Sequence, residues 1–174
     1  MAGSLILIQE TKLSSPQATV SLTGIDTTYD VYKVVVSGIQ PVTDNKNLLL
    51  KVTKGGTKQD DSEYDSSGKL LKSSASFSNT QGVDGTSFTF AFSLSNATNE
   101  TANAILYLFN FANSSEFSFI TAESSFLQTD SSLTGFQGGF AHTVASASDG
   151  VHFSMESSVN INTGATFKLY GLAK

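Results

Sequence analysis

The acidic run Asp60-Asp61-Ser62-Glu63-Tyr64-Asp65 is the stretch of this chain best equipped for chemistry. Asp61, Glu63 and Asp65 alternate with other residues, the one-three-five spacing that opens an oxygen-ligand loop for Ca²⁺. A full loop of that kind also needs glycine at its sixth place and a bidentate glutamate at its twelfth. Counted from Asp61, those places hold Ser66 and Lys72, so the EF-hand reading fails. Asp61, Glu63 and Asp65 remain candidates for a looser surface Ca²⁺ site. The competing expectation is a solvated acidic loop, and it prevails.

Other reactive residue types are scattered. His142 and His152 each fall in an expected strand, without a partner at His-x-His or His-x-x-x-His spacing to complete a metal site. Serines are many, but no Gly-x-Ser-x-Gly elbow presents one as a nucleophile. A Ser-His-Asp triad needs no proximity in sequence, and nothing here marks one. Paired carboxylates for glycoside hydrolysis would come from Asp26, Asp30, Asp44, Glu100, Glu116, Glu123 or Glu156, none in a recognisable context. Gly135-Phe136-Gln137-Gly138-Gly139 is not followed by a helix, so it does not read as a phosphate cradle. Within a strand, those glycines are expected to form a bulge or to admit another backbone. Tyr29, Tyr32, Tyr64, Tyr107 and Tyr170 are dispersed and read as core or sheet-rim residues, not as a sugar-stacking platform. The expectation is a protein that is not an enzyme and carries no cofactor.

The elements that would hold these residues are strands. In Ser87–Leu94, Phe88, Phe90, Phe92 and Leu94 recur at every second position, which places them on one face against a core. Thr89, Ala91 and Ser93 then face water or a neighbour. Similar segments follow one another with short turns, at the spacing of a β sandwich. Asp84-Gly85 and Asp149-Gly150 read as tight hairpin turns, and Lys54-Gly55-Gly56 as a further turn. A helical turn is conceivable only around 96–103. Ala104–Ala112 is apolar without alternation, as in a strand covered on both faces, either by its own chain or by another subunit.

Composition narrows the class further. The 174 residues suit one domain, 1–174, large enough to bury about 70% of the surface its unfolded chain exposes. Thirteen phenylalanines and no tryptophan make Phe the main core filler, and the absence of cysteine removes disulfides and thiolate chemistry. Ten lysines, no arginine and a net charge of −5 argue against nucleic acid as a partner. No apolar run approaches the roughly 20 residues of a membrane helix, so no membrane partner is expected. The start, with its apolar stretch limited to Leu5–Ile8, does not read as a secretory signal.

Two segments carry a resemblance. Thr23-Gly-Ile-Asp-Thr-Thr-Tyr-Asp-Val-Tyr-Lys-Val-Val-Val-Ser-Gly-Ile-Gln-Pro-Val-Thr-Asp44 resembles the opening of small β proteins in virions of tailed phages of aquatic bacteria. Gly150–Ser158 with Asn162–Leu172 resembles the last two strands of that family, and Ser95–Asn110 its central region. The resemblance covers nearly the whole chain but brings no catalytic residue. It implies a virion structural protein, assembled in the host bacterial cytoplasm and carried on the virion surface.

The combined expectation is an all-β, jelly-roll-like antiparallel sandwich of about ten strands, forming a homotrimer. Its expected function is capsid decoration or cementing, with the major capsid protein as partner. The alternative is a tail-fibre tip or adsorption domain that binds host surface glycan. Within the N-terminal segment 1–10, Leu5, Ile6, Leu7 and Ile8 are the candidate docking strand that would augment a partner's sheet.

Overall fold

The computed structural model describes residues 4–74 and 76–173. Their period-two patterns form thirteen strands. The first four are β1 (Leu5–Lys12), β2 (Thr19–Thr23), β3 (Val31–Ile39) and β4 (Lys46–Lys54). A short β5 (Thr57–Lys58) precedes β6 (Tyr64–Lys72), β7 (Phe77–Gly85) and β8 (Phe88–Leu94). Then come β9 (Ala102–Phe109), β10 (Ser118–Leu127), β11 (Leu133–His142), β12 (Gly150–Met155) and β13 (Thr166–Leu172). All pair antiparallel, in an eight-stranded sheet ordered β1-β13-β3-β9-β10-β11-β6-β7 and a shorter sheet ordered β2-β12-β4-β5, with β8 also on β4.

Four pairings define the winding. β1 pairs β13, β2 pairs β12, β3 pairs β9 and β4 pairs β8. The chain thus runs as a ribbon folded back on itself, feeding the two sheets in turn, which is the jelly-roll wrap. Two insertions modify it. β5 to β7 lie between β4 and β8, and β10 with β11 lies between β9 and β12; β10, β11, β6 and β7 lengthen one sheet to eight strands.

The core is the layer between the sheets. Tyr32, Val34 and Val36 of β3 and Leu106 and Leu108 of β9 meet Leu48, Leu50 and Val52 of β4 and Phe153 of β12, all at most 2% exposed. Phenylalanine binds the layers: Phe153 lies 5.1 Å from Phe167 and 6.3 Å from Phe90 between ring centroids. Each such ring contributes about 1.5–3 kcal/mol by leaving water.

Several expectations need correction. The strands number thirteen, above the approximate ten, because β5 is very short and the polar β6 and β7 pair with each other. Tyr64 and Asp65 of the acidic run begin β6 instead of lying in a loop. Asp84-Gly85 and Asp149-Gly150 close no hairpins, because β7 and β8, like β11 and β12, belong to different sheets. Each dipeptide lies at a crossover between layers. The hairpin signal is realised at Gly55-Gly56, both at positive φ, between β4 and β5. No α-helix occurs among the described residues, 96–103 included; one 3₁₀ turn covers Glu156–Ser158. In β8 the alternation holds for Phe88, Phe90 and Leu94, but register shifts against β4 leave Ala91 buried and Phe92 only half-buried.

Candidate functional site

The eight-stranded sheet has one face on the core and one face outward. Burial alternates strictly along β9, where Ala102, Ala104, Leu106 and Leu108 point inward and Asn103 and Ile105 stand out. The apolar run that suggested two covered faces is therefore central in its sheet, yet no loop of its own chain covers Ile105, which is 39% exposed. Register extends the pattern sideways. Leu5 lies opposite Leu172, Val31 opposite Phe109, and Phe109 opposite Phe119, giving an apolar rim that ends in the 45% exposed Phe119. At the diagonal corner, Leu71 lies opposite the 69% exposed Phe77, with Leu133 exposed beside them on β11.

Between these corners the outward face is furrowed and of mixed charge. A groove of about 440 Å³ runs past Val35, Asn103, Ile105, Glu123 and Ser125, and one of about 300 Å³ passes Tyr107, Thr121 and Gln137. Lys33 sits 5.4 Å over the Tyr107 ring, Lys168 pairs with Glu10 at 3.3 Å, and Gln137 donates to Glu123 at 3.1 Å. The sequence left open whether its own chain or another subunit covers the second face of the run that holds Ile105.

The residues singled out for chemistry do not converge. The Glu63 carboxylate faces His142, Asp65 accepts from the Asp84 N–H at 2.9 Å, and Asp61 offers its backbone carbonyl to the Glu63 N–H. No group of three metal-ligating side chains gathers among the described residues. Leu5, Ile6, Leu7 and Ile8 form the start of β1, an edge strand already paired with β13 on one side. Leu5, Ile6 and Leu7 are 42–50% exposed, whereas Ile8 packs against the core. Residues 1–3 of that docking segment lie outside the described ones.

Each histidine does meet a serine that sequence spacing could not reveal. On the outer face of the short sheet, His152 Nδ1 lies 2.9 Å from Ser21 Oγ. Burial, with Lys58 and Lys51 nearby, depresses the His152 pKa and so favours the neutral ring. Asp60 is held instead by Lys51 and Lys58, which bring its pKa down to about 2. His142 is buried at the end of β11 opposite Ser118 of β10. Among the described residues, its two ring nitrogens and Ser118 Oγ make no hydrogen bond, although Nε2 lies 3.4 Å from Glu63 Oε2. Burial lowers the His142 pKa, against an upward pull from Glu63. At 1–2% exposure, neither Ser118 nor His142 is placed to meet a substrate.

A cleft of about 510 Å³ opens between the β2–β3 and β9–β10 loops. Tyr29, Asp30, Asn110 and Asn113 line it, and the buried rings of Tyr32 and Phe111 back it. Comparison of the chain with protein-family models, with curated proteins and with solved structures finds no match in any of the three.

Proposed function

We propose that this chain is a structural protein of a virion, a capsid decoration or cement protein that self-associates as a homotrimer and clamps the major capsid protein. The observation that carries the reading is the outward face of the eight-stranded sheet. It holds exposed leucine, isoleucine and phenylalanine in a setting of both charge signs, the composition of a surface that is covered in the working assembly. The occupant proposed for its two apolar corners is a second copy of the chain. They lie at opposite edges of one sheet and cannot satisfy each other within a molecule. Lys33 lines a groove with Leu5 and Leu172 at one corner, and at the other Lys72 lies within electrostatic reach of Asp130. The resemblance to phage virion β proteins supplies the setting. Stabilisation of a shell would then follow from interface burial and mass action.

Purified virions carrying the chain test this directly. Quantified gels should give on the order of hundreds of copies per particle, as symmetric shells require, with antibody labelling over the head. Labelling confined to the tail, with a few dozen copies at most, would overturn the cement reading. It would favour the adsorption-domain alternative, which the tyrosine-lined cleft supports.

A further inference from the structure

The cleft between the β2–β3 and β9–β10 loops is built, not incidental. On one side, the Tyr32 hydroxyl donates to the Asp26 carbonyl at 2.7 Å and accepts from the Asp26 N–H at 2.9 Å. Asp26 Oδ1 accepts from the Thr28 N–H, closing a turn that delivers Tyr29. Tyr29 meets Tyr32 edge to face at 5.6 Å, and its ring lies over Gly171, where a Cβ would come within 2.2 Å of it. On the other side, Asn110 takes a left-handed φ of 62°, and its carbonyl accepts from the Asn113 N–H. Asn113 Oδ1 accepts from the Ser115 N–H, which leaves its amide NH₂ as donor. The Ser148 N–H ties the Phe111 carbonyl to the neighbouring loop. Loops pinned in this way spend little entropy on ligand capture.

The lining chemistry selects a ligand class. A half-buried aromatic ring stands beside a carboxylate, two carboxamides and the hydroxyls of Thr27 and Ser114. Such groups give and take hydrogen bonds with vicinal hydroxyls, while a ring face covers apolar C–H bonds. Among the described residues no lysine lines the cleft, so no cation is placed there to hold an anion. The volume falls within the roughly 300–1,000 Å³ of small-ligand sites. We infer that this cleft binds a neutral saccharide of mono- to disaccharide size, stacked on Tyr29 and hydrogen-bonded by Asp30, Asn110 and Asn113. The site stands apart from the outward sheet face and holds whether the chain decorates a capsid or serves in adsorption.

Saturation-transfer NMR on the full chain, with glucose, galactose, mannose and N-acetylglucosamine beside sialic acid and glucose 6-phosphate, tests it. Millimolar binding of at least one neutral sugar is expected, with none of the anionic ones. Tyr29→Ala should weaken that binding roughly tenfold, the loss of one packed aromatic contact, while Tyr29→Phe should stay within roughly threefold. Ser114→Trp, in an exposed loop, should block the cleft without disturbing the fold, and it serves if Tyr29→Ala unfolds. Overturning results are no neutral sugar bound, anionic sugars bound equally well, or binding that survives Ser114→Trp. Failure here alongside trimeric assembly would leave the shell reading standing, and sugar binding by a tail-located monomer would do the reverse.

Discussion

Gly68 and Gly138 face each other across β6 and β11, and one carbon at either would meet the ring of Phe136. A Cβ at Gly68 would lie 2.4 Å from Phe136 Cε2, and one at Gly138 would also meet the Ser67 carbonyl at 2.7 Å, so the glycines admit both a ring and the close backbone approach that strand glycines suggest. Gly138 was legible as special; its pairing with Gly68 was not, because β6 and β11 are distant in sequence. Gly68→Ala should lose about 1–3 kcal/mol in urea unfolding by overpacking. In a Phe136→Leu background the same change should add less than about 1 kcal/mol, and equal losses in both would sink the explanation. Titration is a second residue-scale test. His142 and His152 both have depressed folded pKa values, chiefly through burial, whereas unfolded imidazole titrates near 6.5. Unfolding therefore takes up protons below that value: the stability from neutral burial is full above about pH 6.5 and declines as pH falls toward the folded pKa values. The groups facing His142 are Glu63, which opposes the shift, and Lys54, which adds to it. His142→Phe should reduce, by less than one proton, the uptake measured by urea melts between about pH 7.5 and pH 5.5. An unchanged slope would mean that His142 titrates as in the unfolded chain.

At the scale of elements, apolar strands were legible, though not which face of β9 is covered, and polar strands were not. β3, β9 and β12 stand close to where their apolar residues suggested, because half of each is pressed into the core. β6 and β7 consist mostly of serine, glycine, asparagine and lysine, and what makes them strands is pairing with β11 and with each other. Their attachment to the sandwich depends on Tyr64, the first residue of β6. Its hydroxyl donates to the Gln59 carbonyl at 2.9 Å and accepts from the buried Val52 N–H at 3.2 Å, bolting the long sheet to β4 of the short one. Burial raises the Tyr64 pKa far above its usual value, which keeps that hydroxyl protonated and able to donate. Tyr64→Phe keeps the ring packing against Phe88 at 4.7 Å but strands a buried N–H. It should lose about 1–3 kcal/mol, with amide exchange at Val52 quickened more than at β13. A neutral substitution would show that water satisfies Val52 and that the bolt is not in the hydroxyl.

For the whole molecule, the sandwich was readable from alternation, but its pairing was not, since β1 meets β13 and β2 meets β12 across almost the full chain. That winding creates the proposed interface, by placing Leu5 and Leu7 at one end of the eight-stranded sheet and Leu71 and Phe77 at the other. The two edges are roughly 34 Å apart, seven strand spacings of about 4.8 Å. Unlike corners meeting head to tail form a heterologous contact, which closes into a ring when the rotation allows. A trimeric ring would have three times the 18.4 kDa mass of the chain, about 55 kDa, in light scattering coupled to size exclusion. Leu5→Lys/Leu7→Lys destroys one corner and Phe77→Lys/Leu71→Lys the other, so either variant alone should run as a monomer. These side chains are 43–69% exposed, so monomer stability should change by less than about 0.5 kcal/mol per site. Mixed in equal amounts, the two variants retain one intact corner each and should form dimers that grow no further. An isologous contact between like corners behaves differently: each variant alone would keep one self-complementary patch and dimerise by itself. Dimers of a single variant would therefore exclude the head-to-tail ring, and a monomeric unmodified chain would exclude self-association through this face.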